Sequence, residues 1–366
     1  MNAGKRVFVG MSGGVDSSVA ALLLKNQGYD VVGVFMRCFN VDGCAERDAE
    51  DARRVAEKLD IPFYVWDFEA EYKRKVVEYM ISGYKAGETP NPDVMCNREI
   101  KFGIFYKKAM ETGADFVATG HYVRRIEKDG KYALAIAADA NKDQSYFLWT
   151  LGEDVVAHSL FPIGDYIKSD VRKIAREAEL PTADKKDSQG ICFLGQVSIE
   201  EFLKSYIPAK EGAIVNASGE RVGEHHGAEF YTIGQRHLGV TGIKYPEGGV
   251  KDKSKTKAHY VAGKDMSINT VMVVEGGDNP ALYRKNLELR DTRFTDSSRF
   301  TAGNYSVLAR VRYRQPVSPA KLIGDGYFWR LEFEIPQKFV APGQSAVFYT
   351  AEGEMLGGGV IASKRD

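Results

Sequence analysis

The chain lacks net charge: its 366 residues carry 50 lysines and arginines against 50 aspartates and glutamates. Bulk electrostatics therefore cannot point to a polyanionic partner, and any basic surface must be local. Cysteine is scarce as well. Only Cys38, Cys44, Cys96 and Cys192 are present; the C-x5-C spacing of the first two fits no zinc pattern, so a structural metal is not expected. No uninterrupted apolar run is long enough to cross a bilayer and the first residues hold no apolar leader. The expectation is a cytoplasmic protein with no membrane partner, its thiols reduced at rest. Internal repeats and low-complexity tracts are also missing, although residues 247–257 (EGGVKDKSKTK) read as a mobile polar loop. At 44% hydrophobic residues, a soluble enzyme of two or three domains fits the length.

The most informative segment that is present is VFVGMSGGVDSS, residues 7–18. A short apolar strand runs into Gly10, Met11, Ser12, Gly13, Gly14, Val15, Asp16 and Ser17, and a helical pattern follows from Val19. Two glycines let backbone N–H groups turn inward at a helix start, where orphan donors and the positive dipole end favour an anion. The string resembles the pyrophosphatase-type loop of the ATP-pyrophosphatase superfamily. A Walker loop would need Gly-Lys-Ser/Thr; here Gly14 is followed by Val15 and Asp16, so no lysine reaches the phosphates and a carboxylate, better suited to Mg²⁺ than to phosphate, sits beside them. The plainer reading is an ordinary capped helix start.

Through the first third, strand-like and helix-like runs alternate, which predicts a doubly wound, mostly parallel α/β sheet. Ligands bind such sheets beyond the carboxyl ends of the strands, where the glycine loop, Met36 and Gly120-His121 would meet. Ser198 to Glu201 forms a capping box. After about residue 206, β-branched alternation and glycine-rich turns take over, predicting a small central module and a C-terminal β-barrel or sandwich. The boundaries read as 1–205, 206–279 and 280–366.

A second informative pair of segments is TPNPDVMCN (residues 89–97) and DSQGICF (residues 187–193). Two prolines fix the backbone ahead of Asp93 and Cys96, presenting a carboxylate and a thiol three residues apart on one short turn. The carboxylate suits proton transfer from an attacking thiol or a nucleobase, and Cys192 offers a second sulfur. An isolated cysteine is more often a small buried apolar residue, but both lie among polar and turn residues, in loop-like contexts. Arg310, Arg312 and Arg314 alternate with Ala309, Val311 and Tyr313, so in a strand they would line one face, a strip fit for an RNA backbone or simply for water. His121 reads as a hydrogen-bonding or stacking group rather than a metal ligand. Adjacent His225 and His226 would face opposite ways on a strand and chelate poorly. The 357–359 glycine run, with no helix after it, reads as a bulge or strand bend.

Taken together, GMSGGVDSS, YKAGETPNPDVMCNREIKF, ATGHYVRR, NKDQSYFLWTL, SLFPIGDYIKSDVRKIA, DSQGICF, GEHHG, YTIGQRHLG, RVRYRQ, APGQS and LGGGVI resemble the bacterial tRNA-specific 2-thiouridylase family from residue 7 almost to the end. The resemblance implies an adenine nucleotide alpha hydrolase-like PP-loop domain, a central tRNA-contacting module and a C-terminal β-barrel. It also implies ATP bound by residues 10–17, Met36 and Gly120, with Mg²⁺ on Asp16. By the same resemblance Asn91-Pro92-Asp93 meets the target base, Cys96 matches the nucleophile and Cys192 the persulfide carrier. His121, Lys142-Asp143-Gln144, Arg312-Tyr313 and Gln344 fall on tRNA contacts. The implied reaction adenylates O2 of the wobble uridine and replaces that oxygen by sulfur, with a Cys96–Cys192 disulfide left to be reduced. An iron–sulfur cluster on Asp93, Cys96 and Cys192 ranks second to the persulfide route. Implied partners are tRNAs of the lysine, glutamate and glutamine type, the base flipped out of its stack, and a cysteine desulfurase or sulfur-relay protein; the chain is expected to act as a monomer. One departure stands out: after Met36 the family commonly has Lys-Asn-Trp, and here Arg37-Cys38-Phe39 follow. The rival readings are a small-molecule amide-forming synthetase on the same loop, indifferent to the cysteine pair, and a non-catalytic ATP-dependent RNA-binding factor.

Overall fold

Strand β1 (Arg6–Gly10) is apolar on both faces, as a central parallel strand must be. A computed structural model of the chain describes residues 4–39, 43–186, 197–236 and 258–363. Cys192 and the polar stretch 247–257 lie outside these residues. Strands β2 (Asp30–Arg37), β3 (Phe63–Asp67) and β4 (Phe116–Thr119) follow, then a hairpin of β5 (Arg124–Lys128) and β6 (Lys131–Ala135), then β7 (Ser159–Leu160). The sheet runs β3-β2-β1-β4-β7, every neighbouring pair parallel. Period-two alternation divides its two cores. Val7 and Val9 pack with Val19, Leu24, Val171 and Ala175 of the helices Val15–Asn26 and Lys168–Glu177. Phe8 packs the other way, with Val76, Met80, Ile100 and Phe105 from the helical runs 69–85 and 92–111. The chain reverses its direction of winding between β1 and β4, which opens the crevice in which such sheets bind ligands.

Two all-β units complete the molecule. Strands β8 (Gly212–Val215), β9 (Arg221–His225), β10 (His259–Asp265) and β11 (Thr270–Glu275) form a four-stranded sheet in the order β10-β11-β8-β9. Its approach is the short helix Ile199–Lys204, capped as its sequence predicts by Ser198, whose hydroxyl accepts from Glu201 N at 3.1 Å. His225, the last residue of β9, is buried, and His226 in the bend just past it is exposed. The six strands β12 (Tyr283–Phe294), β13 (Gly303–Arg310), β14 (Ser318–Gly324), β15 (Trp329–Lys338), β16 (Ser345–Tyr349) and β17 (Met355–Ile361) close into a barrel, β12-β15-β14-β13-β16-β17. Alternate residues such as Leu287, Leu289, Val307, Ala309, Leu331 and Phe333 fill it. Closure leaves no exposed edge on this unit. The 357–359 glycines lie in β17, opposite register shifts in both β12 and β16. A side chain at Gly358 would collide with Trp149 of the first unit, 2.7 Å from its ring.

One expectation is corrected here. Strand β13 ends at Arg310, and Arg312 and Arg314 lie in the turn beyond it, with Arg314 at φ 63°. The three arginines therefore do not share a strand face.

Candidate active site

The turn after β1 is built for close approach. Gly13 adopts φ 72°, and a Cβ there would sit 2.2 Å from Asp48 O; a Cβ on Gly120, at the end of β4, would come within 2.6 Å of Ser17 N. Only glycine brings these backbones together. Gly14 is the N-cap of the helix Val15–Asn26, and its cap carries no side-chain hydrogen bond among the described residues. The first-turn N–H groups thus remain for an anion. Ser17 shapes the turn from inside: its Oγ accepts from Ser12 N at 3.1 Å and donates to Gly14 O at 3.0 Å. Met11 is buried, and Met36 reaches over Gly10, its terminal methyl 2.8 Å from where a Cβ would stand.

The cation that the loop lacks comes from elsewhere in the chain. Lys168 Nζ, at the start of the helix Lys168–Glu177, donates to Asp16 Oδ1 at 2.7 Å and to Oδ2 at 2.8 Å. Tyr122 OH donates to Oδ1 of the same carboxylate at 2.7 Å. No motif or spacing pairs Lys168 with Asp16, 152 residues away. Tyr122 is in turn held by Gln144, whose Oε1 accepts from Tyr122 N at 2.9 Å.

Asp93 and Cys96 do share one turn, but a helical one. Asn91 accepts from Val94 N at 3.3 Å and Pro92 opens the helix, which continues without a break to Glu111 through a wide, π-type stretch at Cys96–Phe105. The loop-like context expected for Cys96 is thus replaced by a buried helical position, 9% exposed; Asn capping followed by Pro at the first helical position sets the helix start at Pro92. Side chains three residues apart on a helix lie on one face. Burial pushes the Asp93 carboxyl above its ordinary value, and Lys101, two turns on, pulls it partly back. Lys101 Nζ also stands 3.5 Å from His121 Nε2, whose other ring nitrogen lies 2.7 Å from Thr119 Oγ1. Burial, reinforced by Lys101, holds His121 well below its usual pKa, so it is a neutral ring, tilted against Phe102 with centroids 6.0 Å apart. The helix that carries Asp93 and Cys96 thus meets the end of β4 through Lys101 and His121, beside the glycine turn. Next to Cys96, Asn97 is buried, donates to Phe147 O at 3.3 Å and leaves its Oδ1 without a partner among the described residues.

The other residues singled out from the sequence take several positions. Asp143 is 2% exposed and forms a buried ion pair with Arg310, so it faces the barrel rather than solvent. Lys142 and Gln144 flank it on the same turn and are half-buried. Tyr313 packs on Phe147, centroids 4.6 Å apart, and Arg312 lies over Phe339. Gln344 donates to Thr89 O at 2.9 Å, just ahead of Asn91. Cys38 follows β2, half-buried, and Cys44 opens the helix Cys44–Lys58. Lys185 bonds Asp48 and Asp51 of that helix, so the chain leading toward residues 187–193 departs beside the glycine turn. Among the described residues, no three His, Cys, Asp or Glu side chains gather to hold a metal, and no helix is long and apolar enough to cross a membrane.

A nucleotide-loop domain joined to a small β-sheet module and a closed barrel defines the class, and three family models match in that order: a tRNA methyl transferase HUP domain over residues 5–196, a tRNA methyl transferase PRC-barrel domain over 200–275 and an aminomethyltransferase beta-barrel domain over 284–361. The chain is 46% identical over 369 residues to the tRNA-specific 2-thiouridylase MnmA of Pseudoalteromonas translucida, covering 99% of this chain and 98% of that protein. It is 47% identical over 365 residues to MnmA 2 of Geobacillus kaustophilus, covering 97% and 94%. The chain belongs to the tRNA-specific 2-thiouridylase family. Among solved structures, a 4-thiouridine synthetase–RNA complex with bound ATP matches 56% of this chain and 51% of that one, with TM-score 0.35 and 18% identity.

Proposed function

We propose that the protein is a tRNA-uridine 2-sulfurtransferase that uses ATP to activate O2 of a wobble uridine and then replaces it with sulfur. The observation that carries this reading is the placement of Asp93 and Cys96 on one turn of a helix whose Lys101 meets His121, next to the Gly120 that abuts the glycine turn after β1. The first-turn N–H groups of Val15–Asn26 take the phosphates of ATP, and Lys168 leaves Asp16 to neutralise them as the nucleotide enters. Asp16 is the residue that would hold Mg²⁺, which screens triphosphate charge; one carboxylate suits an ion that arrives on the nucleotide and keeps several waters. Oxygen O2 of the uridine attacks the α-phosphorus and pyrophosphate leaves. Asp93, with its raised pKa, takes the N3 proton as charge moves onto O2.

The adenylated C2 is then open to sulfur. A persulfide on Cys192, supplied by a donor protein, is attacked by the Cys96 thiolate; the S–S bond to the outer sulfur breaks, hydrosulfide adds to C2 and AMP departs. The product disulfide joins Cys96 to Cys192 and takes two electrons from a reductant before the next cycle. Asp93 and Cys96, even with Cys192, supply three cluster ligands at most, which favours the persulfide route over an iron–sulfur centre. The test is mass spectrometry of nucleosides from tRNA incubated with Mg-ATP and a persulfide donor. Wild type forms 2-thiouridine, whereas Cys96→Ala and Cys192→Ala do not. Thiouridine from Cys192→Ala at the wild-type rate with that donor would remove the carrier role, and ATP turnover with no thiouridine from any tRNA would favour a small-molecule synthetase.

A further inference from the structure

We infer that the C-terminal barrel is a working part of the catalytic centre, because Arg290 and Gln344 clamp the segment that presents Asp93 and Cys96. The inference rests on the thiolation reading for its kinetic consequence, though not for its structural one. The segment 88–91 has no regular secondary structure of its own, yet it is tied down from the barrel at four points. Arg290, on β12, grips Glu88 with both ends of its guanidinium, Nη1 to Oε1 at 2.8 Å and Nη2 to Oε2 at 2.5 Å. Ser363 adds a hydrogen bond to Oε1 at 3.2 Å. Thr89 N donates to Pro342 O at 2.8 Å, and Gln344 Nε2 donates to Thr89 O at 2.9 Å and reaches Pro90 O at 3.4 Å. The fit leaves no room for change: a Cβ on Gly343, at φ 88°, would meet Glu88 Cβ and the Thr89 backbone at 3.0 Å.

The central module holds the same segment from the other side, Thr89 Oγ1 donating to Thr232 Oγ1 at 3.2 Å. Directly after these contacts come the Asn91 cap, Pro92 at the first helical position and then Asp93 and Cys96. Four backbone or carboxylate anchors therefore fix where this helix begins, and a shift of one ångström there displaces both reacting groups. Arg290 and Gln344 touch neither ATP nor base in this account; they are positioning residues, and a bidentate fork does what a point charge cannot.

Hydrogen–deuterium exchange of the full-length protein without tRNA reads the clamp directly, compared among wild type, Arg290→Gln, Arg290→Lys and Gln344→Ala. Arg290→Gln and Gln344→Ala are expected to speed amide exchange across residues 88–97 by about tenfold, with the barrel strands unchanged, and to raise the rate at which iodoacetamide alkylates Cys96. Arg290→Lys recovers part of the protection. With tRNA, kcat for thiouridine falls about tenfold in Arg290→Gln while KM for ATP stays put. Unchanged exchange at residues 88–97 in both variants overturns the proposal, as does acceleration spread evenly over the barrel. A wild type that makes no thiouridine removes the functional reading and leaves the exchange result to decide the clamp.

Discussion

Arg310→Met is the perturbation that most sharply separates a structural arginine from an RNA-binding one. Arg310 is 4% exposed, and its guanidinium meets the Asp143 carboxylate, Ser145 Oγ at 2.8 Å and Tyr349 OH at 2.7 Å. Breaking a buried pair from one side costs roughly 3–5 kcal/mol, since the partner charge is left behind. Asp143 would still accept from Ala137 N at 3.0 Å, Ser145 N at 3.2 Å and Ser145 Oγ at 3.0 Å. Three remaining donors place the loss at the lower end, about 3 kcal/mol, or a melting temperature lower by roughly 6 °C or more at about 2 °C per kcal/mol. The pair Asp143→Leu with Arg310→Met is expected to recover most of that, because no orphaned charge remains. Thermal and urea unfolding measure the loss, and filter binding of tRNA at several salt concentrations measures the other half of the argument. Each phosphate contact adds about 0.9 to the slope of log K against log salt, so a buried Arg310 leaves the slope where it was. A variant as stable as wild type whose salt slope falls by about one would refute the buried role outright.

Three further outcomes follow from the site. Lys168→Ala should lower kcat/KM for ATP by about a hundredfold, as loss of one preorganised cation commonly does, with Lys168→Arg intermediate; an unchanged value in pyrophosphate release assays ends that role. The acid limb of the pH–rate profile should lie above the ordinary carboxylate range, because burial raises Asp93, and Lys101→Met should move the limb higher still by removing the cation that pulls it down; a limb that moves downward contradicts the assignment. Lys264, whose Nζ donates to Tyr231 O at 2.7 Å, has its pKa lowered to about 8 by burial. Its folded pKa lies below its unfolded one, so the unfolded chain binds more protons between about pH 8 and 10.5 and stability rises with pH there, by up to about 3 kcal/mol. Lys264→Met should flatten that rise in urea melts taken at pH 7, 8.5 and 10.

What the sequence made legible was local. The glycine turn, the parallel sheet and its crevice were carried by short strings whose meaning does not depend on distant partners: Val7 and Val9 against Phe8 already divide the two cores, and Gly13 and Gly14 already announce a backbone turn. The helix start at Pro92 was legible too, since Asn91 and Pro92 are a cap and a first helical residue, but two prolines in four residues read more readily as a loop. Partnerships across the chain were not legible. Lys168 with Asp16 and Arg290 with Glu88 join residues 152 and 202 positions apart, and no periodicity encodes such a pairing. The arginine strip failed for the same reason: alternation predicts a common face only while the strand lasts, and β13 stops at its first member.

The fate of those arginines also bears on how a chain with no net charge can serve a polyanion. Arg310 is committed to Asp143, Arg290 to Glu88, and Arg312 is half-desolvated over Phe339, where burial lowers its pKa. Arg310 and Arg290 hold the barrel to the first unit, together with Tyr146 OH donating to Ser345 O and Trp149 Nε1 to Ser345 Oγ, both at 2.9 Å. Counting basic residues along β13 and its turn therefore overstates the charge available to an RNA backbone, while understating the barrel's hold on the turn that carries Asp93. In this protein the electrostatics of the barrel act inward first: they place a carboxylate and a thiol, and whatever basic surface remains for tRNA is read only after those internal partners are subtracted.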